Sequence, residues 1–472
     1  MNRQVVLFNS LGRKAMEFTP IEPGLVRLYT CGPTVYDYAH VGNLRTYIFE
    51  DVLRRTLTYF GYEVHHVMNI TDVGHLTSDA DSGEDKMMLG ARRQKMSVWE
   101  VARFYEEAFF RDAGDLNVLP PHIRCRATEH VPDIINFIEL ILKRGYAYVS
   151  GGNVYFSVDR FPSYGELALL NLDKQRAGAR IEVDPNKRNP FDFVLWFTES
   201  KFPHQEMKWD SPWGVGFPGW HIECSAMATK YLGEFIDIHC GGVDHIPVHH
   251  TNEIAQSEAA LGHRWVNYWL HGEFLVVKSG KMSKSKGKFV TLSELKRQGF
   301  SPTEYRYLCL GTHYRMNLDF GLTAMQGVQN ALENLKTNYL AWLDEPAAPW
   351  TDLAESYREE FSSGIADDLN TPRALAAMWK MARDSDLAGA LKRDLLTDFD
   401  KVLALGVSEW QREELPEELL KLITLREDAR KAGRFSESDQ LRDQLLAAGV
   451  AVKDTPAGTK WHHTRSSRTP KE

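Results

Sequence analysis

Two short segments, far apart in the chain, carry residues suited to holding a triphosphate. Residues 281–285 (KMSKS) lie in a glycine-bounded stretch and supply Lys281 and Lys284, and residues 40–43 (HVGN) supply a histidine and a glycine. A lysine ammonium is a mobile point charge for phosphate oxygens. A glycine at a helix start lets backbone N–H groups approach an anion closely. Alone, the lysine segment fits a solvated basic turn better than a phosphate site, but its pairing with the HVGN segment reverses this and favours a nucleotide site.

The elements around the HVGN segment predict half of a nucleotide-binding sheet. Residues 25–31 and 63–70 are typical of buried strands, and residues 44–60 carry a helical pattern of apolar side chains. Strand, helix and strand with an early glycine turn form half of a doubly wound parallel sheet. Ligands bind beyond the carboxyl ends of such strands, which is where residues 40–43 and 69–72 fall.

The remaining pattern predicts an α/β protein with further domains. We expect a Rossmann-like catalytic domain with an inserted connective domain, then a helical domain, then a small C-terminal α/β segment. The predicted bounds are 1–320 for the catalytic domain, about 111–203 for its insertion, about 272–320 for a lysine-loop and stem region, 321–400 for the helical domain and 401–472 for the last.

Several finer features follow from local pattern. Residues 235–239 and 267–277 are typical of strands, and residues 249–262 of a helix between them. Thr371 followed by Pro372 is typical of an N-cap and a first-turn proline.

Composition favours a cytoplasmic globular protein. The 472 residues are 43% hydrophobic and 25% charged, and no run approaches the roughly 20 apolar residues that span a bilayer. Five scattered cysteines without a C-x-x-C pair argue against a disulfide framework. The net charge of −8 disfavours a protein that coats nucleic acid. Residues 421–472 nevertheless carry eleven Lys and Arg against seven Asp and Glu, which fits a local nucleic-acid contact or a solvated tail.

A histidine-rich segment offers metal-ligand spacing. His249 and Glu253 are four apart in a helix-like segment and so share one face, and four histidines lie within residues 239–250. On spacing alone, such a pair is more often a surface hydrogen bond. Cys31 and Cys224 are too far apart in sequence to be assigned as a ligand pair without further information, and a buried cysteine is usually a small hydrophobe.

Several longer motifs follow one another along the chain: residues 29–36 (YTCGPTVY), 40–43 (HVGN), 188–196 (RNPFDFVLW), 218–227 (PGWHIECSAM), 252–257 (NEIAQS), 281–285 (KMSKS) and 367–372 (DDLNTP). In type and order they resemble the motifs of the cysteinyl-tRNA synthetases, a class I family. The last segment, to Trp461, is similar in kind.

The resemblance implies one zinc ion that recognises cysteine. Mapped by position, its ligands are Cys31, Cys224, His249 and Glu253. Such mixed ligation suits zinc. Serine is nearly isosteric with cysteine, and apolar pockets separate near-isosteres by only about 10²-fold. A soft metal separates a thiolate from a hydroxyl by chemistry, so no editing domain is required.

The remaining residue roles also follow from the resemblance. Thr71, Trp220 and His239 match positions that line the cysteine pocket in the family, with a core aromatic as the alternative for Trp220. The implied reaction forms cysteinyl-adenylate and pyrophosphate from cysteine and ATP, with Mg²⁺, and then transfers the cysteinyl group to tRNA(Cys). The residues expected to bind ATP are His40, Gly42, Asn43, Lys281 and Lys284, with His40 and Lys284 as principal stabilisers of the transferring phosphoryl group and Lys281 assisting.

Departures from the family pattern occur at two of these motifs. Asn43 stands where the first signature usually ends in histidine; it can donate a hydrogen bond to phosphate but carries no charge. Cys240 stands where family members often have glycine, and fits a buried small residue better than an extra thiol near the metal.

Two alternative functions stay open on the sequence. One is a mycothiol-pathway cysteine ligase, which also makes cysteinyl-adenylate but transfers the group to an amino sugar. The other is a non-catalytic paralogue that binds zinc and nucleotide. The basic C-terminal segment favours tRNA as acceptor, and we expect a monomer without a membrane partner.

Overall fold

The computed structural model describes residues 4–74, 76–78, 82–170, 184–198, 205–277, 290–412, 415–455 and 458–463. Among these, the strands are β1 (Val6–Asn9), β2 (Lys14–Glu17), β3 (Leu25–Thr30), β4 (Glu63–Ile70), β5 (Leu76–Ser78), β6 (Ser82–Asp85), β7 (Ile123–Arg126), β8 (Ala147–Ser150), β9 (Asn153–Phe156), β10 (Phe193–Phe197), β11 (Phe217–Pro218), β12 (Ile236–Gly242), β13 (Val266–Gly272), β14 (Leu275–Val277), β15 (Leu318–Phe320), β16 (Val450–Thr455) and β17 (Gly458–His463).

In the same residues the α-helices are α1 (Val41–Tyr59), α2 (Lys86–Gln94), α3 (Val98–Asp115), α4 (Val131–Lys143), α5 (Trp220–Leu232), α6 (His249–Leu261), α7 (Leu292–Arg297), α8 (Pro302–Leu310), α9 (Leu322–Trp342), α10 (Asp352–Ala366), α11 (Thr371–Arg383), α12 (Gly389–Leu403), α13 (Glu417–Lys431) and α14 (Phe435–Ala447). The chain divides into two compact units, Met1–Leu292 with Pro302–Val407 and Ser293–Ser301 with Ser408–Glu472.

A five-stranded parallel sheet forms the centre of the larger unit. Its strand order is β13-β12-β3-β4-β7. β3 lies between β4, which follows it through α1, and β12, which comes much later in the chain. The direction of winding therefore changes at β3, and a crevice opens there beyond the carboxyl ends of the strands. The predicted doubly wound α/β fold is confirmed.

The first strand–helix–strand unit forms where the apolar pattern predicted it. β3 and β4 are buried along most of their length, and α1 buries Leu44, Ile48 and Leu53 against the sheet. α1 begins at Val41, three residues before the predicted start. It is followed by Gly61, whose φ of 93° lets the chain reverse into β4.

A smaller antiparallel sheet, in the order β11-β10-β9-β8, precedes α5. Gly219 joins this sheet to α5, and a Cβ at that position would lie 2.1 Å from the carbonyl oxygen of Val194. Only glycine permits this approach of backbone to backbone. It fixes the start of α5, and with it the side chains of Trp220 and Cys224.

Helices α8 to α12 form the helical part of the larger unit, joined to α1 by a buried ion pair. The Arg306 guanidinium on α8 donates to Asp51 on α1 at 2.6 Å, and both side chains are fully buried. The same guanidinium donates to the carbonyl oxygens of Leu403 and Leu116. All the nitrogens of this charge are therefore satisfied.

The smaller unit is the small C-terminal α/β segment that the sequence predicted. α13 and α14 are followed by the β16–β17 hairpin. Its core is modest and is formed by Leu415, Ile423, Leu445 and Val450.

Two local predictions were wrong. The N-cap of α11 is Asn370, whose side chain accepts a hydrogen bond from the Arg373 backbone N–H, and Thr371 is the first helical residue. Asparagine caps as well as threonine does, so both fit the pattern. The segment 267–277, expected as one strand, forms two strands. The Arg45 guanidinium donates a hydrogen bond to the carbonyl oxygen of Glu273 at 2.7 Å, so this oxygen does not continue the backbone hydrogen bonding of β13.

Candidate metal and nucleotide site

A cavity of about 970 Å³ lies beyond the carboxyl ends of β3, β4 and β12. His40 and Asn43 line one part of it, and Cys31, Trp220 and His249 line another. The cavity therefore brings residues of the HVGN segment and the predicted metal ligands to one crevice.

The HVGN segment forms the capped start of α1. The His40 Nδ1 accepts a hydrogen bond from the Asn43 backbone N–H at 3.2 Å, and the Asn43 side-chain oxygen accepts one from the His40 backbone N–H at 3.2 Å. Burial lowers the pKa of His40, although Asp244 opposes this. A neutral ring whose Nδ1 accepts must carry its proton on Nε2, which makes Nε2 a donor. A Cβ on Gly42 would come within 3.0 Å of the His40 ring, so glycine leaves this ring its place.

Lys281 and Lys284 lie outside the described residues, but the chain beyond them contacts the HVGN segment. The Val41 backbone N–H donates to the carbonyl oxygen of Val290 at 2.8 Å, and Thr291 pairs with His40 in an isolated bridge. The lysine segment thus rejoins the described fold directly beside the start of α1.

The four predicted metal ligands converge at the base of the cavity. One ligand atom from each of Cys31, Cys224, His249 and Glu253 lies within 4.8 Å of the other three, and all four residues are buried. The His249 Nε2 lies 2.9 Å from the Glu253 Oε1 and 3.7 Å from the Cys224 Sγ. Two sulfurs, one nitrogen and one oxygen suit a tetrahedral zinc site.

Electrostatics at this cluster favour a positive charge. Burial opposes ionisation of the Cys224 thiol, but hydrogen bonds from Cys31 and His249 outweigh it and lower the pKa of Cys224 to about 6. Burial likewise disfavours the charged form of His249, yet Glu253 and Cys224 raise the pKa of His249 to about 10. The pKa of Glu253 is lowered despite its burial, because His239 and His249 face it. The buried carboxylate and thiol therefore favour a positive charge at this point of the fold.

Two residues outside the ligand set contact the His249 imidazole. The His249 Nδ1 lies 2.8 Å from the Nδ1 of His221, and the Trp220 ring lies 4.4 Å from the His249 ring. Such outer contacts orient a ligating imidazole.

Thr71, which lines the cavity, is held in a buried network. Its hydroxyl donates to Glu223 at 3.2 Å and accepts from the Asn69 side-chain amide at 3.1 Å. The Asn69 oxygen in turn accepts from the Gly32 backbone N–H at 2.8 Å. The hydroxyl is therefore fixed at the end of β4.

Within the described residues, a second set of possible metal ligands shares two members with the first. Cys31 and Glu253 also lie within 4.8 Å of ligand atoms of His239 and His250. The His239 Nε2 lies 2.8 Å from the Glu253 Oε2, and the His250 Nε2 lies 3.2 Å from the Cys31 Sγ. His239 is fully buried behind the cavity wall and stacks on Trp269.

Sequence reasoning missed His221, His250 and Glu223 as parts of this cluster. The local excess of histidines in residues 239–250 was a signal for His250. No pattern pointed to Glu223, whose carboxylate meets Thr71 only through tertiary packing. Cys240 is buried and belongs to neither ligand set, in agreement with its interpretation as a small core residue.

No helix in the described part of the chain has both the length and the apolar character needed to cross a membrane.

Comparison with known proteins identifies the family. A family model described as the class I (C) tRNA synthetase catalytic domain matches residues 17–330, and one described as the cysteinyl-tRNA ligase anticodon binding domain matches residues 412–461. A cysteine–tRNA ligase of Treponema denticola is 49% identical, covering 96% of this chain and 99% of that protein. A cysteine–tRNA ligase of Burkholderia lata is 48% identical, covering 97% and 96%.

A solved structure supports the fold. A methionyl-tRNA synthetase of Mycobacterium tuberculosis aligns with a TM-score of 0.55 and 16% identity, covering 81% of this chain and 90% of that one. Neither the amino-sugar ligase nor the non-catalytic alternative is supported by these matches. With a catalytic-domain match over most of its length and relatives nearly half identical across almost all of it, the chain belongs to the cysteine–tRNA ligase family of class I aminoacyl-tRNA synthetases.

Proposed function

We propose that the protein joins L-cysteine to the 3′ end of tRNA(Cys) and selects cysteine through a zinc ion held by Cys31, Cys224, His249 and Glu253. The observation that carries this proposal is the convergence of these four ligand atoms within 4.8 Å, at the base of the cavity that also holds His40.

Zinc in this ligand set supplies a soft Lewis acid that binds a thiolate far better than a serine hydroxyl. The donor types fit such an ion, and the raised pKa of His249 agrees with a position that favours positive charge. Trp220 and Thr71 border the same space and would enclose the side chain and amino group of the amino acid.

Activation of cysteine needs charge and alignment and no covalent nucleophile. The cysteine carboxylate attacks the α-phosphate of ATP, which arrives with Mg²⁺, and pyrophosphate leaves. His40, through its Nε2–H, and Asn43, through its remaining amide N–H groups, donate to phosphate oxygens at the start of α1, where backbone N–H groups also favour an anion. Gly42 leaves room beside the His40 ring.

Lys281 and Lys284 complete this arrangement from the other side. Thr291, which pairs with His40, lies seven residues beyond Lys284, so the intervening chain can reach at most about 25 Å. This length is short enough for both lysines to reach phosphate groups bound beside His40. Ammonium groups that approach as negative charge develops lower the barrier.

The second step transfers the cysteinyl group to the terminal adenosine hydroxyl of tRNA(Cys). The basic C-terminal segment and the anticodon-binding match over residues 412–461 support tRNA as the acceptor. We further propose that the protein works as a monomer in the cytoplasm, where its five free cysteines stay reduced.

The test is charging of purified tRNA(Cys) by the full-length protein with radiolabelled cysteine, beside cysteine-dependent pyrophosphate exchange. We expect both activities, one zinc per chain, and no transfer to an amino-sugar acceptor. Transfer to the amino sugar alone would overturn the proposal. A truncation after Val407 should weaken charging more than exchange, and equal losses would indicate a folding defect.

A further inference from the structure

We propose that Cys31, His239, His250 and Glu253 form a second metal position, joined to the first through Cys31 and Glu253 as bridging ligands and filled by soft divalent metal in excess of one equivalent. The inference rests on the proposed zinc site for its first ion and adds a ligand set which that site does not use. Three observations on the described residues carry it.

The first observation is the donor set itself. Ligand atoms of these four residues all lie within 4.8 Å of one another, and every member is buried. One thiolate, two imidazoles and one carboxylate suit Zn²⁺, Co²⁺ or Cd²⁺.

The second observation is the way Glu253 divides its two oxygens. Its Oε1 faces the His249 Nε2 at 2.9 Å, and its Oε2 faces the His239 Nε2 at 2.8 Å. The Oε1 also lies 4.0 Å from the His250 Nε2, so the carboxylate lies within reach of ligands of both positions. The Cys31 sulfur is likewise shared, since it belongs to both sets and lies 3.2 Å from the His250 Nε2.

The third observation is a supporting shell behind His250. Its Nδ1 lies 2.8 Å from the Nε2 of His271, and the Nδ1 of His271 lies 2.7 Å from the Ser10 hydroxyl. If each Nδ1–H donates along this chain, the His250 Nε2 keeps a free electron pair directed at Cys31. His249 has a comparable support in His221. Partners of this kind orient metal-binding imidazoles.

The second position lies deeper than the first, and each position has two ligands of its own beside the shared Cys31 and Glu253. Cys31 and His249 line the cavity, whereas His239, His250 and Glu253 do not. Only Cys31 of the second set lines the cavity, against two members of the first, so the second position is the less accessible of the two. We expect it to fill second and to bind more weakly. An ion there would also immobilise His239, a predicted cysteine-pocket residue, so excess metal should inhibit cysteine activation reversibly.

The experiment is a titration of the metal-depleted, full-length protein with Co²⁺ or Zn²⁺, with bound metal counted after ultrafiltration. Wild type should bind two equivalents, and His250→Ala one. A Cys224→Ser/His249→Ala double variant should keep one equivalent with a cobalt–thiolate band from a single sulfur. His263→Ala removes a partly exposed histidine that pairs with Glu234 outside both ligand sets, and this variant should still bind two equivalents.

The outcomes separate this inference from the proposed function. Saturation of wild type at one equivalent would overturn the second position even if a variant failed to fold, as would two equivalents in His250→Ala. For each protein, the exchange rate with excess metal is compared with its own rate at one equivalent. A decline in wild type without a decline in His250→Ala supports the inhibitory role of the second ion. Failure of the first equivalent to support cysteine-dependent exchange would count against the proposed function and leave the metal count unaffected.

Discussion

The ligand cluster of the larger unit and the ion pairs of the C-terminal unit place charge in opposite environments. Glu253 and His239 are 2.8 Å apart with both side chains fully buried. Lys421 and Glu417 are 2.7 Å apart with 67% and 81% of their side chains exposed. Water solvates each exposed charge almost as well as its partner does, whereas a buried charge depends on its partners entirely. Burial should therefore set the size of a substitution's effect, and position relative to the cavity should decide whether activity or stability changes.

The largest effect is expected at Glu253. Glu253→Gln keeps the shape of the side chain but removes the charge shared by His239 and His249. Loss of a supporting residue around a metal costs about 10- to 100-fold, so loss of a ligand should lower cysteine-dependent pyrophosphate exchange at least 100-fold. Bound zinc should fall in parallel. The matched control is Glu417→Gln on the exposed surface, which should change neither the exchange rate nor the bound zinc. A Glu253→Gln protein that keeps its full zinc content would contradict the role of Glu253 as a ligand.

Arg306 tests burial away from the cavity. Arg306→Met removes one of the two guanidinium partners of Asp51, the other being Arg55 at 2.8 Å, and leaves two buried carbonyl oxygens without their donor. Together these losses should cost about 3–5 kcal/mol of stability. The midpoint of thermal unfolding should drop clearly, while exchange per folded molecule stays near wild type because neither residue lines the cavity. Arg393→Met, which removes a partly exposed pair with Asp394, is the control. Equal midpoints for the two variants would show that burial is not the deciding variable.

Lys284 tests charge that acts on substrate. Lys284→Ala should slow exchange by on the order of 10², as loss of one preorganised donor does, with little change in unfolding midpoint. Lys288→Ala, just outside the KMSKS motif, is the neighbouring control. If both variants lose activity equally, general positive charge explains the segment better than a specific role does.

The smallest effect is expected in the C-terminal unit. Arg426 holds Asp454 by two hydrogen bonds of 2.8 Å and, as the largest influence, lowers the pKa of Asp454 to about 2. A depressed carboxyl pKa stabilises the fold above the ordinary value of about 3.9, and that stabilisation is lost as pH falls towards 2. Arg426 is buried, but Asp454 is 32% exposed and keeps Arg430 at 3.0 Å, so Arg426→Met should cost only about 1 kcal/mol at neutral pH. The difference in free energy of unfolding between this variant and wild type should shrink as pH falls towards 2. A difference that does not change with pH would contradict an origin in the lowered pKa of Asp454.

The sequence predicted the parallel-sheet half well because its signals are local. β4 begins and ends where the apolar run does, and α1 lies within three residues of its expected start. The wrong assignment of Thr371 as the N-cap of α11 also has a local cause. Asn370 and Thr371 are both good N-cap residues, so local sequence does not distinguish between them.

The site was only partly predictable. Helical spacing placed His249 and Glu253 on one face, and the structure has them 2.9 Å apart. No rule of sequence spacing could predict that Cys31 and Cys224 lie close together, because their proximity depends on how α5 packs against the parallel sheet. Only the family resemblance predicted both as ligands. His250 was missed as a ligand candidate because adjacent helical residues normally face apart, yet here two neighbouring histidines reach two overlapping ligand sets.

The central claim is that a metal-bound thiol identifies cysteine in the cavity beside His40. Zinc X-ray absorption spectroscopy of the full-length protein, with and without cysteine, tests it most directly by counting sulfur ligands at one equivalent of metal. We predict two sulfurs in the free protein, from Cys31 and Cys224, and three with cysteine bound, but no change with serine. A sulfur count that stays constant when cysteine binds would contradict the account.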